Sequence, residues 1–184
     1  MTIIRPGQRV VHIPGIGIST SRRAVSVGGF AGTNFFTVPY TGTRNDFTGQ
    51  VGYSMRPASA FTIVALGRSV STAIAGSHTV RLWRQSTGLL EASAVITGAS
   101  PVDALGYAYE LLGTPFTVTS DAVYYLTSTE ASGGDKWRDS GSLASHSALS
   151  SIITGIYNSN LSTWAGMSTY GAANTGYVPT TFFT

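Results

Sequence analysis

From Asp46 onward the chain alternates short apolar runs with turn residues, and within the runs apolar and polar positions change places every second residue. In His78–Arg84, Val80 and Leu82 share one face while Thr79 and Arg81 share the other. That period marks a strand with one side buried. Phe61–Leu66 is a β-branched and apolar run of the same kind. Arg84-Gln85-Ser86-Thr87-Gly88 supplies a turn, after which Leu90–Thr97 completes a hairpin. Further strands are predicted at Tyr107–Leu111, Phe116–Val118, Ala122–Ser128, Ser151–Tyr157 and Tyr177–Phe183. Ser142–Ser151 has room for a turn or two of helix, and nothing longer is helical in pattern. Short strands at regular spacing predict an all-β protein: an antiparallel β-sandwich, jelly-roll-like in its connections.

The first 45 residues follow another pattern. Pro6, Pro14 and Pro39, with Gly7, Gly15, Gly17, Gly28, Gly29 and Gly32, break any helix and leave only strand-like pieces at Arg9–Ile13 and Ala24–Val27. The organisation expected is therefore an extended N-terminal arm over 1–45 and a sandwich domain over 46–184. Phe30, Phe35, Phe36 and Tyr40 make the arm too apolar for a solvated linker. Charge divides at the same place. Residues 1–45 carry Arg5, Arg9, Arg22, Arg23 and Arg44 and no acid, whereas residues 46–184 set eight acids against six bases. Arg5, Arg9, Arg22, Arg23, Phe30, Phe35 and Phe36 are the expected partner-binding set, with protein subunits as the partner. Nucleic acid is not the expected partner, because these arginines stand singly or in one pair and phosphate tracking calls for a denser patch.

Composition sharpens this picture. Charged residues are 10% of the chain, against about 25% in ordinary soluble domains. A surface built on hydroxyls and glycine instead of charge suits a protein covered by neighbours, a homo-oligomer or larger assembly, or one that faces glycans. Cysteine is absent, which removes disulfides and thiolate chemistry and fits synthesis in a cytoplasm. No apolar run reaches the roughly 18 residues of a membrane helix. Residues 1–7 lack the apolar core of a secretory signal, so release within an assembled particle is the expected route.

No catalytic constellation emerges. His12, His78 and His146 are far apart and accompany no Gly-x-Ser-x-Gly elbow. No two histidines stand at metal-ligand spacing, and Gly28-Gly29-Phe30-Ala31-Gly32 lacks the lysine of a phosphate loop. Neither a cofactor nor a metal is expected. One segment is unusually dense: residues 128–139 hold Glu130, Asp135, Asp139, Lys136, Arg138 and Trp137 around Gly133-Gly134. Two readings stay open. Trp137 could be a sugar-stacking platform flanked by Glu130, Asp135 and Asp139, or those carboxylates a calcium loop. Alternatively, Glu130 and Asp135 accept backbone N–H groups in a structured turn that Trp137 caps.

The order Phe61–Arg68, His78–Trp83, Leu90–Val95, Tyr107–Leu111, Phe116–Val118, Tyr124–Leu126, the Glu130–Asp139 loop and Tyr177-Val178-Pro179 resembles a β-sandwich module of bacterial extracellular proteins and phage virion proteins. The resemblance spans about Phe47 to Phe183 and leaves out the arm. It implies a carbohydrate-binding-like accessory module and no catalyst. A basic arm joined to such a module is similar to a phage capsid decoration (cement) protein. The expectation is thus a non-enzymatic virion protein bound to capsid or tail subunits, or else a glycan-binding module of a tail fibre or surface adhesin.

Overall fold

A computed structural model describes residues 32–37, 42–140, 146–171, 176–177 and 179–184. The chain divides into two compact units, Met1–Ala31 and Gly32–Thr184, and all described residues belong to the second. Among them there is no helix. The strands are β1 (Thr43–Arg44), β2 (Gly49–Pro57), β3 (Phe61–Ser69), β4 (Ser77–Arg84), β5 (Leu90–Thr97) and β6 (Tyr107–Val118). They continue as β7 (Tyr124–Glu130), β8 (Trp137–Ser140), β9 (Ser150–Asn158), β10 (Ser168–Tyr170), β11 (Gly176–Tyr177) and β12 (Thr180–Phe183).

One sheet has the order β10-β9-β2-β7-β4-β5, a second β12-β3-β6, and a small third β1-β8-β11, every pairing antiparallel. The residues before β1 add a strand to the second sheet. Thr33 and Phe35 donate N–H to Thr184 and Phe182 at 2.9 and 3.0 Å, and Asn34 bridges Phe183. The second sheet then reads leader-β12-β3-β6, facing β2-β7-β4-β5. With the leader counted first and β12 last, these are the strand orders of an eight-stranded jelly roll, and β8 to β11 are an elaboration before its last strand.

The leader belongs to the core. Phe35 and Phe36 are each 1% exposed. The Phe35 ring lies 4.5 Å from Phe182 and 6.2 Å from Tyr53, between the two sheets, and Phe36 stacks on Tyr107 at 5.7 Å. The compact unit therefore starts at Gly32, ahead of the Asp46 start expected from composition. Phe35 and Phe36, expected as partner contacts, are spent on the chain's own interior. The physical reason is that aromatic side chains in a Gly-rich segment bury on whatever apolar surface closes over them, and the open edge of β12 is adjacent.

Sequence pattern located most strands and missed the central one. In β2 the residues Val51, Tyr53 and Met55 point inward and are buried, yet Gly49, Gly52, Ser54 and Pro57 give the run the look of a turn. Tyr107–Val118 is one strand where two were expected. Its register slips where residues 112–115, with Gly113 and Pro115, stand opposite Val64. An edge strand tolerates such a bulge, since a proline there forfeits no second ladder. The helical turn expected at Ser142–Ser151 lies partly outside the described residues. Its described part carries a His146–Phe36 bridge and the start of β9.

Candidate functional site

A pocket of about 490 Å³ opens at one end of the sandwich. Its walls are the Ala75-Gly76-Ser77 turn leading into β4, the end of β7 at Thr129 and Glu130, the Ala131–Asp135 loop, and Leu161. Behind it lies a chain of ionisable side chains that alternation explains. Arg68 continues the inward face of Leu66, His78 the inward face of Val80 and Leu82, and Glu130 that of Leu126 and Ser128. Three strands from two sheets thus aim charge at one buried point.

Arg68 has no exposed side-chain surface, and neither has Glu130. Arg68 Nε and Nη2 donate to Glu130 Oε1 and Oε2 at 3.0 and 2.7 Å, a bidentate pair. Its remaining donors reach the carbonyls of Ser69 and Asp135, each at 2.9 Å. Ser128 Oγ donates to Glu130 Oε1 at 2.7 Å. His78 sits between the two carboxylates. Its Nδ1 is 2.7 Å from the Thr129 carbonyl and 3.3 Å from Glu130 Oε2, and its Nε2 is 3.0 Å from Asp135 Oδ2. Asp135 also receives N–H from Ala75 and Gly76 at 3.0 and 2.8 Å.

Both ring nitrogens of His78 face only acceptors, so only the imidazolium satisfies both contacts. Burial disfavours the charged ring, but hydrogen bonding and attraction from Glu130 prevail, with help from Asp135, and raise its pKa above the ordinary value. Burial likewise opposes ionisation of Glu130, and hydrogen bonds from His78 and Arg68 outweigh it, holding the carboxyl below its usual range. In Asp135 the partial burial is overcome by His78 and by the Ala75 and Gly76 amides, which bring it down to about 2. Two carboxylates in one cleft can serve glycoside hydrolysis only if one keeps a proton at working pH. Here both are driven toward ionisation, and neither is disposed as a general acid.

The dense loop takes the turn reading in part: Asp135 accepts the Ala75 and Gly76 amides, whereas Glu130, expected to bind backbone N–H groups, accepts from the Arg68 and Ser128 side chains instead. Gly133 adopts φ +76°, a conformation that favours glycine. Its N–H reaches the Asn45 carbonyl at 2.6 Å, and Ser132 N–H bonds Thr48 Oγ1 at 3.0 Å. Trp137 is fully buried and packs with Val51, Phe47 and Tyr157. It offers no ring face to a sugar, which corrects the stacking-platform expectation: β8 runs inward from the loop and takes the indole with it. Asp139 pairs with Arg44 at 3.1 Å and Glu130 with Arg68 at 2.7 Å, so Glu130, Asp135 and Asp139 do not converge as calcium ligands would. Among the described residues no cluster of three or more His, Asp or Glu side chains is disposed to hold a metal. Arg5, Arg9, Arg22, Arg23 and Phe30 lie outside the described residues.

The structure thus brings Glu130 and Asp135 together and adds Arg68 and His78, which composition did not single out. The usable signal was parity, since a charged residue in the inward register of a strand needs a buried partner. No protein-family model matches this chain, and comparison with curated proteins finds no match.

Proposed function

We propose that this chain is a non-enzymatic structural protein of a phage virion, a capsid decoration protein whose sandwich projects from the particle and whose N-terminal residues anchor it. The reading rests on one observation, the division of charge about Gly32. The jelly-roll unit starts there with its own first strand, and the 31 residues before it bear Arg5, Arg9, Arg22 and Arg23 and no acid. A basic, apolar segment such as residues 1–31 suits an acidic groove between subunits, where each square ångström of apolar surface covered contributes about 25 cal/mol. Phe35 and Phe36 drop out of the anchor, and Phe30 stays in it. Jelly rolls serve capsid and lectin domains alike, so architecture does not choose between them. The charge state of the Glu130–Asp135 pair supports the non-catalytic part of the reading.

Co-sedimentation with undecorated capsids of the encoding phage tests the proposal. The full chain is expected to pellet with the particles, and the chain beginning at Gly32 to stay in the supernatant. If the full chain does not pellet, the decoration role is wrong. Equal binding of both chains would leave the role and remove the anchor.

A further inference from the structure

We infer that His78 is a pH-operated latch on the pocket, closed while the ring is an imidazolium and released when it loses a proton. The inference is independent of where the protein assembles. Two of the pocket's walls are the Ala75-Gly76 stretch that runs into β4 and the Ala131–Asp135 loop. The Asp135 carboxylate joins them by accepting the Ala75 and Gly76 amides while contacting His78 Nε2.

The groups facing His78 come from every neighbouring element. β7 contributes the Glu130 carboxylate and the Thr129 carbonyl, the loop contributes Asp135, and β3 contributes Arg68 through its pair with Glu130. The 75–77 turn and the facing residue of β5, Ile96, carry no charge. With His78 charged, the chain Arg68–Glu130–His78–Asp135 has two positive and two negative members and sums to zero. Loss of the ring proton leaves one guanidinium among two carboxylates. The shorter contact, Nδ1 to the Thr129 carbonyl, keeps its proton. A lone pair at Nε2 then faces Asp135 Oδ2 at 3.0 Å, a repulsive contact. Asp135 keeps some side-chain exposure whereas Arg68 and Glu130 have none, so the Asp135 carboxylate gives way before the Arg68–Glu130 pair does.

The test uses the full chain and NMR. The His78 ring nitrogens are titrated from about pH 5 to about pH 10, across the range in which histidine ordinarily loses its proton. Amide hydrogen exchange of Ala75 and Gly76 is followed alongside, corrected for intrinsic base catalysis. His78 is expected to titrate above its ordinary value. Beyond that midpoint, protection of the two amides should fall by up to about tenfold per pH unit. In Asp135→Asn, which keeps the side chain's shape, the His78 midpoint moves down. Protection that stays flat through the His78 titration overturns the latch. So does an Asp135→Asn variant whose His78 midpoint is unchanged.

Discussion

Glu130 answers a guanidinium that has no water to turn to. With both side chains at zero exposure, Glu130→Ala leaves Arg68 charged and buried, a loss expected to cost about 3–5 kcal/mol. Urea unfolding is the measurement, and a loss below about 1 kcal/mol would mean that water reaches Arg68. Trp137 is buried for a different reason. It has no ionic partner and serves by volume alone against Val51, Phe47 and Tyr157. Trp137→Ala is expected to cost about 3–5 kcal/mol through the cavity it opens. In the intact protein acrylamide should scarcely quench the Trp137 indole, whereas a sugar-stacking tryptophan would be quenched readily.

At the scale of elements, the leader and the β4–β5 turn carry most of what alternation alone could not settle. The leader closes the β12 edge through three backbone hydrogen bonds and two aromatic rings. A chain beginning at Gly32 is therefore expected to unfold cooperatively, and one beginning at Asp46 to lose that cooperativity in thermal melts. Cooperative unfolding of the shorter chain would show that the leader is dispensable. In the β4–β5 turn Gly88 has φ +70°, and a Cβ there would run into the indole of Trp164. Gly88→Ala is expected to cost more than about 1 kcal/mol, because the left-handed backbone and the lost space act together. Since Trp83 and Trp137 are both buried, a rise in acrylamide quenching would report Trp164 leaving the turn.

For the whole molecule, the charged chain behind the pocket sets how stability depends on pH. His78 has a raised pKa in the folded state, so its contribution is complete below its unfolded value of about 6.5 and is lost as pH climbs through the folded value. Asp135 is lowered from 3.8 to about 2, so its contribution is complete above 3.8 and is lost as pH falls toward about 2. Denaturant midpoints should therefore hold a plateau between these limits and decline on both sides. In His78→Gln the alkaline decline should flatten, while the acid one shrinks but persists through the Ala75 and Gly76 amides that still hold Asp135. An unchanged alkaline limb in that variant would place the responsible group elsewhere.

The sequence by itself determined the all-β class and most strand positions, because period-two alternation is a local property of the chain. It also held the parity that turns Arg68, His78 and Glu130 inward. What only the tertiary structure decided were meetings across distance. Arg68 and Glu130 are 62 residues apart, and whether a buried charge finds its counter-charge depends on how two sheets face each other. The same holds for Phe35 and Phe36, which composition assigns to an arm and the open edge of β12 draws into the core. Local preference specifies strands, but the order in which the strands pair specifies which side chains share an interior.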